Sequence, residues 1–217
     1  KLGLVQREVV LQMTAHCRSL AFNGVDTMPV DVQAQISPGL PAFNVVGLPD
    51  KAIAESRERV RAAIHALGLS LPPKRLTVNL APADLSKEGS HFDLPIALSL
   101  LMAMAVLPSD ATEGQIVLGE LGLDGAILPV SGVLPAAMSA VGEDAGLICP
   151  AANGPEAAWA GDLSIAAAPH LLALMNHLNG GQLLAAPERE TREASRNHPD
   201  LCEVKGQESA RRALEIA

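Results

Sequence analysis

A serine, a histidine and an aspartate stand close together at Ser90, His91 and Asp93, on a loop between the alternating run Leu76-Thr77-Val78-Asn79-Leu80 and a wholly apolar stretch. Hydrolases combine these side-chain types: the hydroxyl attacks, the imidazole takes its proton, and a carboxylate such as Asp93 or Glu120 orients the imidazole. Adjacent side chains seldom point at one another, so the competing reading is that Ser90 and Asp93 cap the following helix while His91 is a loop residue. A metal pair of His91 and Asp93 is poorer still. Zinc needs three or four ligands, and no cysteine or second histidine is near in sequence.

The elements around this loop follow from periodicity. Residues 94–107 carry no charge and are apolar on every face, which describes a helix enclosed by other elements. At 14 residues the run is too short to cross a bilayer, and Pro95 suits its first turn. A second helix is expected over residues 49–67, with Ile53, Val60, Ile64 and Leu67 on the core side and Gly68 as its stop. Its Arg57 and Arg61 share one face, and Glu55 can pair with Arg59. Val30, Val32, Ala34 and Ile36 alternate with polar residues as a half-buried strand, and residues 43–46 form the next.

Asp124-Gly125 signals a hairpin between residues 116–123 and 126–130. Then come a helix at 134–141, a buried strand at 146–149, a short helix opened by Asn153-Gly154-Pro155-Glu156 that holds the single Trp159, and an amphipathic helix marked by Leu171, Leu174, Met175 and Leu178. Strands and helices intermixed in this order give an α+β fold, a mixed sheet with helices packed on it.

Composition narrows the function classes. With 217 residues, 48% hydrophobic and 18% charged, the chain has the makings of one good core and an extra segment. Three widely spaced cysteines, Cys17, Cys149 and Cys202, suggest neither a disulfide framework nor a metal cluster, and Cys17 and Cys149 read as buried thiols. The first residues are charged too early for a signal peptide, so a cytoplasmic location is expected.

The net charge of −8 is unevenly spread: residues 1–87 hold ten Lys/Arg and seven Asp/Glu, whereas residues 88–180 hold no Lys/Arg and ten Asp/Glu. Lys51, Arg57, Arg61, Lys74 and Arg75 are candidates to meet DNA phosphates. If these and Arg59 all did so, log K would fall with log salt at a slope of about −5. With 2% aromatic residues and no tyrosine, base stacking is an unpromising mode.

Longer motifs carry a resemblance. The loop Lys87-Glu88-Gly89-Ser90-His91 with its helix, the segment Gly119-Glu120-Leu121-Gly122-Leu123-Asp124-Gly125, the segment Leu128-Pro129-Val130-Ser131-Gly132-Val133-Leu134-Pro135, and Gly47-Leu48-Pro49-Asp50-Lys51 resemble the N-terminal domain of the ComM (YifB, magnesium-chelatase-like) AAA+ ATPases. That domain is in turn similar to the proteolytic domain of Lon, which implies a ribosomal S5 domain 2-like fold. Placed on Lon's two active segments, this sequence has His91 where the nucleophilic serine stands and Leu134 where the lysine stands. No lysine or arginine lies between Lys87 and Arg189 to replace it.

The resemblance covers roughly residues 14–217 and implies these divisions: 1–13 a non-native or unrecognised extension, 14–180 the Lon-like domain, 181–200 a linker dense in charge, and 201–217 the opening of an ATPase module. Val204, Gly206 and Gln207 would line the adenine side of a nucleotide pocket. The Gly-x-x-x-x-Gly-Lys-Ser/Thr phosphate loop does not occur in the sequence, so no cofactor is expected on this chain alone. ATP and Mg2+ are implied for the longer protein, a hexameric ring that drives DNA branch migration in recombination and natural transformation. The partners implied are the chain's own ATPase module, neighbouring subunits and DNA, with no membrane.

Overall fold

The computed structural model describes residues 14–85, 87–189 and 201–216. The expectations for residues 1–13 and for most of the linker lie outside them. Seven strands make the main sheet: β1 Ala15–Asn23, β2 Asp26–Ser37, β3 Ala42–Val46, β4 Arg75–Ala81, β5 Gln115–Val117, β8 Gly146–Pro150 and β9 Ile165–Ala168, in the order β3-β4-β2-β1-β5-β8-β9. Strand β2 is antiparallel to both neighbours, and all the others run the same way. A two-stranded hairpin, β6 Glu120–Leu121 with β7 Ile127–Leu128, stands apart from it. The fold is α+β, and no helix among the described residues is long and apolar enough to cross a membrane.

The alternation of each strand divides the core in two. Cys17, Ala21, Val30, Val32, Ala34, Leu76, Val78 and Leu80 face helices α1 (Asp50–Ala66) and α2 (Asp93–Ala103). Leu20, Ile116, Leu118, Leu147 and Cys149 face α3 (Val133–Gly142) and the short α4 (Gly154–Ala157). Helix α2 is buried from Asp93 to Met102, as an uncharged helix apolar on every side requires. Val60 and Ile64 of α1 are fully buried, with Ile53 and Leu67 packed against the same core.

Several elements depart from the expectations. β1 and β9 are strands that local periodicity did not single out. The stretch at 116–123 divides, so that β5 joins the main sheet and only β6 enters the hairpin. Helix α2 stops at Ala103, not at residue 107, because Ala105 takes a positive φ of 56° and the N–H groups of Val106 and Leu107 turn back to the Leu101 carbonyl. The apolar run continues because Leu107, 3% exposed, folds onto the core from that turn. Helix α5 (Leu171–Leu178) closes the domain, and α6 (Glu208–Ile216) follows further along the chain.

Cys17 and Cys149 are buried free thiols, and burial pushes both up to about 12. At pH 8 only about one in ten thousand of either would be thiolate. A disulfide reagent should therefore modify these two cysteines only after unfolding, and prompt modification of either in the native protein would contradict their placement.

Candidate functional site

The loop from β4 to α2 is tied down by a buried lysine. Lys87 is 2% exposed, and its ammonium donates to the carbonyls of Pro82 and, at 3.0 Å, Leu85, both within the same loop. Desolvation lowers its pKa against the pull of Asp84. The chain then passes Gly89 at φ 98°, where a Cβ would lie 2.9 Å from His91 Nδ1, so a side chain there would displace the imidazole.

The three sequence candidates diverge from this point. Ser90 Oγ donates to the Glu120 carboxylate. His91 Nε2 lies 2.9 Å from the Leu20 carbonyl oxygen, which can only accept, so this nitrogen carries the hydrogen and Nδ1 is bare. The imidazole is 6% exposed and sits between Phe22 and Phe92, with ring centroids at 5.3 and 4.1 Å. Burial pushes its pKa down, with the Leu20 hydrogen bond opposing.

Asp93 is 1% exposed and takes two bonds from Arg59 of α1, at 2.5 Å from Nε and 3.1 Å from Nη2, plus the Leu121 N–H at 3.3 Å. Burial raises the Asp93 pKa, with Arg59 and Ser56 working against the rise. The same pair holds the Arg59 guanidinium above its ordinary value. Hydroxyl, imidazole and carboxylate thus serve three different partners.

Capping does not describe the cluster either. Phe92 is the N-cap of α2 and no side chain among the described residues caps the helix, because Ser90 and Asp93 are engaged elsewhere. The Leu94 N–H finds the Gly119 carbonyl and the Gly119 N–H finds that of His91, so the hairpin approach satisfies part of the helix start.

The two segments that the resemblance singled out do meet. A cleft of about 470 Å³ is lined by Phe22, Glu88–His91, Glu120 and Pro129–Ser131. Its lining carries two carboxylates and no lysine or arginine. Leu134 is the second residue of α3, half-buried, just past Gly132, whose φ of 86° opens the helix where a Cβ would be 2.8 Å from Phe22 Cζ. A neighbouring cleft of about 320 Å³ shares Gly89, Ser90 and Glu120 and adds Glu55, Ser56 and Arg59. Among the described residues no three His, Cys, Asp or Glu side chains come together to hold a metal ion.

The candidate phosphate contacts split into groups. Lys51 opens α1 and lies 3.8 Å from Glu55, while Arg61, ten residues on, is about 15 Å further along the axis. Arg57 is half-buried, lies between them along the helix, and shares a face with Arg61. Arg61 and Lys74 join a cleft of about 230 Å³ floored by Phe43, Leu71 and Pro72, and exposed Arg75 begins β4 beside it. The Glu55 and Arg59 pair forms at 3.9 Å, yet the stronger partner of Arg59 is Asp93. Val204, Gly206 and Gln207 make an exposed turn into α6, Gly206 and Gln207 both at positive φ.

Local patterning missed Arg59–Asp93, Ser90–Glu120 and the loop-locking role of Lys87. One signal was available. A lone carboxylate at the head of a wholly apolar run is bound for burial, and a buried carboxylate demands a cation.

Residues 32–153 match the family described as subunit ChlI of Mg-chelatase. The chain is 40% identical over 200 residues to the Mycobacterium tuberculosis protein Rv2897c, covering 92% of this chain and 40% of that one. It is 38% identical over 193 residues to YifB of Escherichia coli, covering 89% and 38%. It is also 38% identical over 204 residues to the competence protein ComM of Haemophilus influenzae, covering 92% and 40%. The chain thus spans about two fifths of the length of these relatives.

Proposed function

We propose a non-catalytic role for this chain from the premise that it belongs to the ChlI family of Mg-chelatase subunits, in the group that holds YifB and ComM. It acts as the Lon-like domain, with a ribosomal S5 domain 2-like topology, of a longer cytoplasmic AAA+ ATPase. That protein assembles as a hexameric ring and drives DNA branch migration in recombination and natural transformation. This domain contributes ring assembly, contact with the DNA backbone, or both.

The observation that carries the reading is the way the reactive groups are spent. His91 stands at the nucleophile position and gives its N–H to Leu20, Ser90 is bonded to Glu120, and Leu134 brings an aliphatic chain where a base is needed. A serine hydroxyl is a weak nucleophile until a base takes its proton; leucine at the lysine position neither takes nor gives one, and the His91 imidazole is turned to Leu20 instead of to Ser90.

ATP and Mg2+ belong to the longer protein in this reading. Val204, Gly206 and Gln207 fit as one exposed wall on the adenine side, the phosphate loop being absent from the sequence, and no catalytic step is assigned to them.

A serine-reactive fluorophosphonate applied to the 217-residue chain is expected to leave Ser90 unmodified. Labelling that Ser90→Ala abolishes would overturn the non-catalytic reading. Arg57→Glu with Arg61→Glu in the full-length protein separates the two contributions. A drop in duplex affinity in a variant that still assembles, with a salt slope shallower by about 2, assigns DNA contact, and unchanged affinity or a loss only of assembly assigns assembly.

A further inference from the structure

The segregation of charge in the sequence becomes a segregation in space. The cleft between the C-terminal half of α1 and the starts of β3 and β4 has an apolar floor and a rim of Arg61 and Lys74, with Arg75 alongside. Among the described residues Arg61 pairs only with Glu58 on its own helix, an exposed pair at 3.3 Å worth little. Lys74 and Arg75 have no acidic partner among the described residues.

The acidic counterpart lies at the same end of the sheet, on its other side. Asp110 and Glu113 precede β5, Asp144 precedes β8 and Asp162 precedes β9, and all four are exposed. The Gly146 N–H bonds to the Gly114 carbonyl and the Leu147 N–H to that of Ser164, which draws the three loops together. Among the described residues none of these four carboxylates has a lysine or arginine partner.

We propose that the cationic cleft at the β3–β4 edge docks the acidic β5–β8–β9 corner of a second copy of this chain, head to tail. The proposal rests on the assembly reading above and names its contact surface. In the strand order, β2, β1 and β5 stand between β4 and β8. Three spacings to β5 and four to β8 put the two patches about 14–19 Å apart, beyond a Debye length of roughly 8 Å at physiological salt. They therefore do not neutralise one another within one molecule, and each keeps its field for a neighbour. Made once per copy and repeated by rotation, the contact is heterologous and propagates from copy to copy as a ring or an open filament.

Sedimentation of the 217-residue chain at low and high salt tests this. Self-association that weakens with salt is expected for the wild type. Arg61→Glu with Lys74→Glu should be monomeric, as should Asp110→Lys with Glu113→Lys, both keeping native circular dichroism because all four residues are exposed. Mixing the two reversed chains should restore association, since each cleft then faces a corner of opposite sign. Association that survives both reversals, or a mixture that stays monomeric, overturns this contact while leaving assembly itself standing. A wild type that is monomeric at every salt removes assembly by this domain as well. If that monomer binds duplex DNA and the cleft reversal abolishes binding, the occupant of the cleft is DNA and the proposal fails.

Discussion

Arg59→Met is expected to remove about 3–5 kcal/mol of stability at neutral pH, the loss typical of breaking a buried ion pair from one side. Asp93 is 1% exposed and would keep only the Leu121 N–H and the adjoining Ser56 to hold its charge. Measured against a total stability of roughly 5–15 kcal/mol for a folded domain, that is enough to threaten folding.

The pH dependence has a definite sign. Burial already raises the Asp93 pKa above its ordinary 3.8 with Arg59 opposing, so removing Arg59 drives it further up. Between the unfolded and folded values the native state then binds more protons than the unfolded chain, and stability falls as pH rises through that window. The deficit of the variant should therefore be largest at neutral pH and narrow as the solution is acidified. Urea unfolding at two pH values measures it. A loss below about 1 kcal/mol, or one that ignores pH, would show that the carboxylate is not held as described. Arg59→Met with Asp93→Asn removes both charges and should recover most of the loss.

His91→Ala should cost about 3 kcal/mol, from the cavity it leaves between Phe22 and Phe92 and the unpaired Leu20 carbonyl. His91→Gln keeps a donor and should cost less. The wild-type imidazole has its pKa lowered by burial, so on acidification the unfolded chain takes up a proton first, near 6.5. Stability from this group is whole above pH 6.5 and falls as pH drops toward the folded value, at up to about 1.4 kcal/mol per pH unit. In the Gln variant that part of the decline should vanish. The ring resonances of His91 in the wild type, followed by NMR, should titrate below the ordinary 6.5. Protonation near 6.5 would place the ring in water.

These two residues and Ser90 are neighbours in sequence with separate structural duties. Their spacing suggested one chemistry, and the fold gives them three unrelated partners: a carbonyl on β1, a guanidinium on α1 and a carboxylate on β6. Each partner is 30 or more residues away along the chain, at separations of 71, 34 and 30. Local rules on capping and adjacency carry no information over such distances.

What could be determined from the order of residues alone was whatever depends on short-range periodicity or long motifs. The α+β class, helix α1 with its core face, the enclosure of α2, the alternation of β2 and β4 and the Asp124-Gly125 hairpin all follow from side chains repeating at 2.0 or 3.6 residues, or from one turn. Family membership followed from motifs long enough to be improbable by chance.

Tertiary structure alone decided which side chains meet. Burial turned Asp93 from a cap into the anchor of Arg59 and made Lys87 the lock of its own loop. Strand order set an asymmetric count of charges at two opposite edges of one sheet. The physical reason is common to all of these: a buried charge or polar group must be satisfied wherever the fold allows, and the partner is chosen by proximity in space, which sequence spacing does not encode.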